Sequence, residues 1–146
     1  MKHLLLLTAL LFTACGPNRR DPVIPSAVHA AFAQRFPHAQ SVQWTTHEGG
    51  IVEATFVQNG RPHSANFTIG GAWMETEQAI GEKELPGPVR AIIGARHPGA
   101  TITLAERVST PASELFEVEL ATDSGKVEVM LTPEGVVVPH DAADRE

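Results

Sequence analysis

The stretch Pro25 to Ala39, PSAVHAAFAQRFPHA, returns as Pro86 to Ala100, PGPVRAIIGARHPGA, at an offset of 61 residues and without a gap. Six of the 15 positions are identical: Pro25/Pro86, Val28/Val89, Ala30/Ala91, Arg35/Arg96, Pro37/Pro98 and Ala39/Ala100. Ala31/Ile92 and Phe32/Ile93 are apolar in both copies. An internal repeat constrains the fold more than any single motif, because one supersecondary unit must serve both copies.

Each copy reads as a short helix. A proline near the first turn is tolerated because its missing N–H had no partner there, and Ser26 is placed to cap the first helix. Val28, Ala31, Phe32 and Arg35 fall at i, i+3, i+4 and i+7, as do Val89, Ile92 and Ile93 over the first three places, giving one apolar stripe per helix. Pro37 and Pro98 stop the helices, since the residue before a proline avoids the α region. Arg35 and Arg96 sit in the last turn, where a cation suits the helix dipole.

Strands follow each helix. In the first copy SVQWTT turns Val42 and Trp44 to one face. IVEATFV sets Val52, Ala54 and Phe56 against Ile51, Glu53, Thr55 and Val57. Asn59-Gly60 signals a hairpin, SANFTI points Ala65, Phe67 and Ile69 inward, and Gly70-Gly71 turns into AWME. In the second copy TITLAERV alternates with Ile102 and Leu104 inward. ELFEVELA turns Phe116, Val118 and Leu120 in and Glu117 and Glu119 out. Asp123-Ser124-Gly125 leads to KVEVMLT, with Val127, Val129 and Leu131 inward, and Glu134-Gly135 leads to VVVP. The expected fold is α+β: tandem duplicated helix-plus-antiparallel-strands units, about eight strands in one curved sheet with two helices on one face. The repeats cover about 23–80 and about 84–138 of a domain spanning 23–138, with a tail at 139–146.

The N-terminus has a different character. MKHLLLLTALLFTAC carries a positive Lys2, an apolar run of 9 residues from Leu4 to Phe12, and the small residues Thr13 and Ala14 before Cys15. Such a run is too short for a bilayer core of about 30 Å, which takes about 20 apolar residues, and reads as an export signal over residues 1–14. The segment resembles the lipobox of bacterial lipoproteins. That resemblance implies cleavage before Cys15, a diacylglyceryl group on its thiol and, with Gly16 following, sorting to the outer membrane facing the periplasm. Cys15 is the only cysteine, so no intramolecular disulfide forms. Residues 15–22 then act as a tether of about 25 Å at full extension. The formal charge is −6, one unit more negative once Lys2 is lost, and basic residues are scattered apart from Arg19-Arg20. That charge disfavours nucleic acid.

The residues from Ile24 to Trp44 match the pattern V-P-x-x-V-x-x-A-F-x-x-x-F-P-x-A-x-x-V-x-W in all but its first position. With Glu53-Ala54-Thr55-Phe56, Asn59-Gly60 and Gly71-Ala72-Trp73 followed by Glu75-Thr76-Glu77, the chain resembles the PepSY-like family of exported bacterial proteins. The resemblance implies a fold like that of the beta-lactamase-inhibitor protein, with a curved sheet face left open. The chain departs from the pattern in having no tyrosine, and its second copy lacks the tryptophans, with Leu104 near Trp44's place and Val136 or Val137 near Trp73's.

Chemistry-bearing motifs are sparse. The histidines beyond His3 (His29, His38, His47, His63, His97 and His140) form no metal-binding spacing, and no metal or cofactor is expected. Neither a nucleophile elbow nor a Gly-rich phosphate loop is present, so an enzyme is not expected. Glu53, Glu117, Glu119 and Glu128 alternate with apolar residues on strands, as the solvated face of a one-sided sheet does. Aromatic residues crowd the first copy; Trp44 and Trp73 both read as core, with Trp73, after a Gly-Gly turn, the more reachable of the two. The candidate binding face is Glu53, Thr55, Asn66, Thr68, Glu117, Glu119 and Glu128, with Trp73. The expected function is a membrane-anchored, non-enzymatic envelope lipoprotein that binds a protein or peptide there. The alternatives are an inhibitor of an envelope hydrolase of peptidase or beta-lactamase type, and a small-ligand or metal carrier.

Overall fold

The computed structural model describes residues 22–139. The export signal, Cys15 and its lipidation, nearly all of the tether and the tail beyond Pro139 lie outside the described residues. The chain runs through α1 (Ser26–Arg35), β1 (Gln40–His47), β2 (Ile51–Gln58), β3 (Arg61–Thr68) and β4 (Trp73–Ala79). A 3-10 turn (Glu82–Glu84) leads to α2 (Gly87–Arg96), β5 (Thr101–Ser109), β6 (Glu114–Thr122), β7 (Gly125–Leu131) and the short β8 (Val137–Val138). All eight strands form one open, curved sheet, antiparallel and in chain order. This is the α+β architecture that the repeat implies.

Both helices stop where the prolines require. The N–H of Phe36 closes α1 on the Phe32 carbonyl at 2.8 Å, and His97 closes α2 on Ile93 at 2.9 Å. Their starts differ from expectation in one respect. Pro25, with φ −57° and ψ 142°, holds the cap position, and no side chain caps the helix. Ser26 is already the first helical residue, so its hydroxyl is one place too late to cap. The Pro25 carbonyl instead accepts the N–H groups of Val28 and His29.

The two units are built alike down to single contacts. Thr68 and Thr132 open equivalent turns, each pairing its N–H with the carbonyl four residues on (Ala72, Val136) and its carbonyl with the N–H of Gly71 or Gly135. Both glycines have positive φ, +85° and +82°. A Cβ on Gly71 would lie 2.7 Å from the Ala27 carbonyl oxygen, and one on Gly135 2.8 Å from that of Pro88. Only glycine lets each turn close onto the first turn of its helix. Asn59 (φ 53°) and Gly60 (φ 74°) form the expected primed hairpin turn.

Each unit has its own core on the helix side of the sheet. Val28, Phe32 and Phe36 pack on Val52, Ala54, Phe56, Ala65 and Phe67, with Val42, Trp44 and Trp73 at the margin. Val89 and Ile93 pack on Ala105, Phe116, Val118, Leu120, Val129 and Leu131. Phe32 is the hub of the first core, with ring centroids 5.0 Å from Trp44, 5.1 Å from Phe56 and 5.3 Å from Phe36. The register aligns Trp44 opposite Ala54 with Ala105 opposite Val118. The aromatics Phe32, Trp44, Phe56 and Phe67 therefore correspond to Ile93, Ala105, Leu120 and Leu131, with Val52/Phe116 reversed. Between the two cores, Gln78 faces Arg107 where β4 meets β5. Arg61 grips Glu84 through two hydrogen bonds of 2.9 and 2.8 Å, tying the start of β3 to the linker.

Two residues expected inward lie elsewhere. Ile69, expected inward, lies beyond the end of β3 and is 60% exposed. In β5 a register shift between Ile102 and Leu104 inserts one extra residue, so that Leu104 faces Glu119 and Ala105 faces Val118. Ala105 therefore enters the core, while Leu104, expected inward, turns to the opposite face. A bulge reverses the facing of every later residue in its strand.

Candidate binding face

The sheet face away from the helices is where the outward residues of both units meet. Its cross-strand rows follow from the register. Glu53, Asn66 and Glu75 form one row across β2, β3 and β4. Thr55, Ser64, Glu77, Val108 and Leu115 form the next, from β2 to β6. Ala79, Glu106, Glu117, Met130 and Val138 form a third, from β4 to β8. Leu104, Glu119 and Glu128 form a fourth. Seven carboxylates thus share one face, and among the described residues the one lysine there is Lys126, bound to Glu119 at 2.9 Å.

The outer acids are compensated. Glu53 accepts from His47 Nε2 at 2.7 Å, and Asn66 Nδ2 donates to Glu75 at 2.7 Å. Ser64 Oγ donates to Glu77 at 2.8 Å. Thr103 Oγ1 donates to Glu119 at 2.6 Å; this bond and Lys126 hold Glu119 below the usual carboxylate range.

The centre is different. Glu117 is 4% exposed, and its Oε1 has no hydrogen-bond partner. Glu106, directly opposite on β5, has an Oε2 that is buried and equally without a partner. Beside them Val108, Leu115 and Met130 form a small apolar cluster, with Val138 packed against it. Burial pushes Glu117 up to about 8, and repulsion from Glu128, Glu77, Glu106 and Glu75 adds to it. Burial also pushes Glu77 up to about 7, against the opposing hydrogen bond from Ser64 and with repulsion from Glu106, Glu75 and Glu53. Glu106 is raised by burial and then by Glu128. A carboxyl that has lost hydration and faces like charge keeps its proton.

Of the residues singled out from the sequence, Glu53, Thr55, Asn66, Glu117, Glu119 and Glu128 occupy this face. Thr68 lies at its edge, where its hydroxyl accepts the Ala72 N–H at 3.1 Å and serves the turn. Trp73 is on the other side. A register shift places it opposite Phe67 while Glu75 stays opposite Asn66, so Met74 is the extra residue and Trp73 turns toward the helices. There the Arg35 guanidinium lies 3.3 Å from its ring centre, and its Nε1 donates to Thr76 Oγ1 at 2.9 Å. Glu75, Glu77 and Glu106 join the face without having been singled out. Glu106 was hidden because alternation from Ile102 and Leu104 points it inward, and only the β5 bulge turns it out.

Two clefts, of about 470 and 380 Å³, lie away from the acids. One is bordered by His97, Asp123 and Ser124, the other by Gln34, Arg35 and Trp73. Among the described residues, no group of three or more His, Cys, Asp or Glu is arranged to hold a metal ion. His29 packs edge-on to Trp44, and His63 stacks on Phe56.

No protein-family model matches the sequence, and no curated protein matches it. Solved structures do. A DUF2874 family protein from Bacteroides ovatus ATCC 8483 is 21% identical at a TM-score of 0.72, over 81% of this chain and 86% of that one. A protein provisionally named as periplasmic, from Bacteroides eggerthii DSM 20697, is 20% identical at a TM-score of 0.75, over 81% and 88%. A BLIP-like protein from Bacteroides fragilis NCTC 9343 is 20% identical at a TM-score of 0.71, over 81% and 86%. At these identities the likeness is one of fold: the chain has the fold of a BLIP-like, beta-lactamase-inhibitor-protein-like, molecule.

Proposed function

We propose that this BLIP-like chain is a non-enzymatic envelope lipoprotein that binds a basic segment of a partner protein on the acidic face of its sheet. The observation that carries the reading is the assembly of seven carboxylates from both units on one uncovered face, with a single lysine among the described residues. Complementary charge steers a partner and sets its register. Anchoring at Cys15, cleavage after Ala14 and outer-membrane placement rest on the leader sequence and Gly16. An envelope location is further supported by the fold shared with the Bacteroides eggerthii protein. Kinship with PepSY-like exported proteins rests on the pattern from Ile24 to Trp44.

The test is capture from a bacterial envelope extract, at low and high salt, by the wild type, by Glu53→Lys with Glu119→Lys, and by Arg96→Glu on a helix. Salt-sensitive capture that the double variant loses and Arg96→Glu keeps is the expected result. Capture unchanged by the double variant places the interface elsewhere. Membrane release of the Cys15→Ser chain on fractionation tests the anchor separately.

A narrower form of the same reading is direct inhibition of an envelope hydrolase. Its support is the fold shared with the BLIP-like protein of Bacteroides fragilis, which is an analogy of fold. Activity assays on a panel of envelope peptidases and beta-lactamases test it, and unchanged rates throughout refute it.

A further inference from the structure

Glu106 and Glu117 stand apart from the other acids of the face. Glu117 is buried and Glu106 half-buried, each has a buried carboxylate oxygen without a hydrogen-bond partner, and they sit directly opposite one another on β5 and β6. Buried polar atoms in native proteins are almost always satisfied, so an orphaned pair calls for something to occupy the gap. Opposed residues on neighbouring strands hold their Cβ atoms about 5 Å apart. Two carboxylates at that spacing suit a planar donor that reaches both. A metal ion would need three or more converging ligands, and among the described residues none converge.

We propose that Glu106 and Glu117 form a receptor for one guanidinium group, carried by an arginine side chain of the partner that the acidic face binds. The proposal rests on the reading of that face given above. A guanidinium presents five N–H donors in a rigid fork and is weakly hydrated, so it enters partly buried carboxylate sites more readily than an ammonium. Its aliphatic stem needs apolar surroundings. Val108, Leu115, Met130 and Val138 supply them beside the pair. Met130 lies directly opposite Glu117 on the side away from Glu106, and an unbranched thioether is the side chain that most easily moves aside.

Without the arginine, Glu117 keeps its proton up to about pH 8, because burial and then the repulsion of Glu128, Glu77 and Glu106 disfavour its charge. Binding exchanges that proton for the guanidinium and releases it to solvent. The other acids of the face act in the same direction: Glu53 on β2, Glu75 and Glu77 on β4, Glu119 on β6 and Glu128 on β7. Lys126, bound to Glu119, opposes them; His47 pairs with Glu53, β3 contributes the neutral Ser64 and Asn66, and β8 contributes Val138. Binding therefore strengthens as pH rises. With Glu117 at about 8, the linkage has a ceiling of about 100-fold between pH 6 and pH 9.

The probes are three capped pentapeptides, Ala-Ala-X-Ala-Ala, with X as arginine, lysine or the neutral isostere citrulline. Each is titrated into the full chain labelled with ¹³C at its glutamate carboxyls, at pH 6 and pH 9. The arginine peptide should move the Glu106 and Glu117 signals and bind tighter at pH 9 by several-fold, up to about 100-fold. The lysine peptide should bind about fivefold more weakly, and the citrulline peptide should not bind. Glu117→Gln should abolish the pH dependence, and Glu106→Gln should weaken the binding while leaving part of the pH dependence that the burial of Glu117 sets. If one of these variants does not fold, the other, with the citrulline comparison, decides. Equal binding of the arginine and citrulline peptides overturns the receptor. Arginine-peptide binding that survives both glutamine variants but is lost in Glu53→Lys with Glu119→Lys overturns the receptor and leaves the acidic face intact as the interface. No binding by either cationic peptide at either pH overturns both.

Discussion

Glu117→Gln should stabilise the protein in alkaline solution and leave it nearly unchanged in mild acid. Glu117 is raised from its usual 4.5 to about 8, chiefly by burial. An acid shifted upward in the fold keeps its proton there while the unfolded chain has already lost it. Folding then takes up a proton between about pH 4.5 and pH 8, so stability falls as pH rises through that window. Each tenfold change in proton affinity is worth about 1.4 kcal/mol, which sets a ceiling of about 5 kcal/mol above pH 8. The face carries no second layer, so water reaches the charged form after a small rearrangement, and about 2–3 kcal/mol is expected. Glutamine keeps the size of the side chain and removes its charge. Urea unfolding of both proteins at pH 5 and pH 9 measures the effect. The gain of the variant should be under about 1 kcal/mol at pH 5 and about 2–3 kcal/mol at pH 9. A gain of the same size at both pH values refutes the placement of a buried, protonated carboxyl at this position.

Other outcomes follow from the packing. Phe32→Ala should cost about 3–5 kcal/mol of stability in thermal or urea unfolding, because it empties the hub of the first core. Gly71→Ala and Gly135→Ala should each cost about 1–3 kcal/mol, since both create the same collision with a helix carbonyl. Gly49→Ala, with open space around it, should cost less than either. Glu53→Lys with Glu119→Lys should leave the melting temperature within a few degrees of wild type, since the charged groups it replaces lie at the solvated margin of the sheet.

Much of the fold was legible in the sequence. The repeat at offset 61, the helix-ending prolines, the Asn59-Gly60 hairpin and the alternating strands are local patterns, each enforced by backbone sterics or by a period of two or 3.6 residues. They determined the duplicated unit, the helix positions, the approximate number of strands and most of the inward residues. They also placed Glu53, Glu117, Glu119 and Glu128 on the face away from the helices, because no register shift interrupts the pairing of β2 with β3 or of β6 with β7.

Tertiary structure decided the two features that make the face specific. Single extra residues in β4 and β5 turn Trp73 toward Arg35 and turn Glu106 out against Glu117. Period-two reading has no means of sensing an inserted residue, since one slip reverses every side chain after it without altering composition. The burial of Glu117 has the same origin. Its own strand reads as simple alternation with an exposed acid, and only the company of Glu106 on β5 and Met130 on β7, beside Leu115 of its own strand, removes it from water.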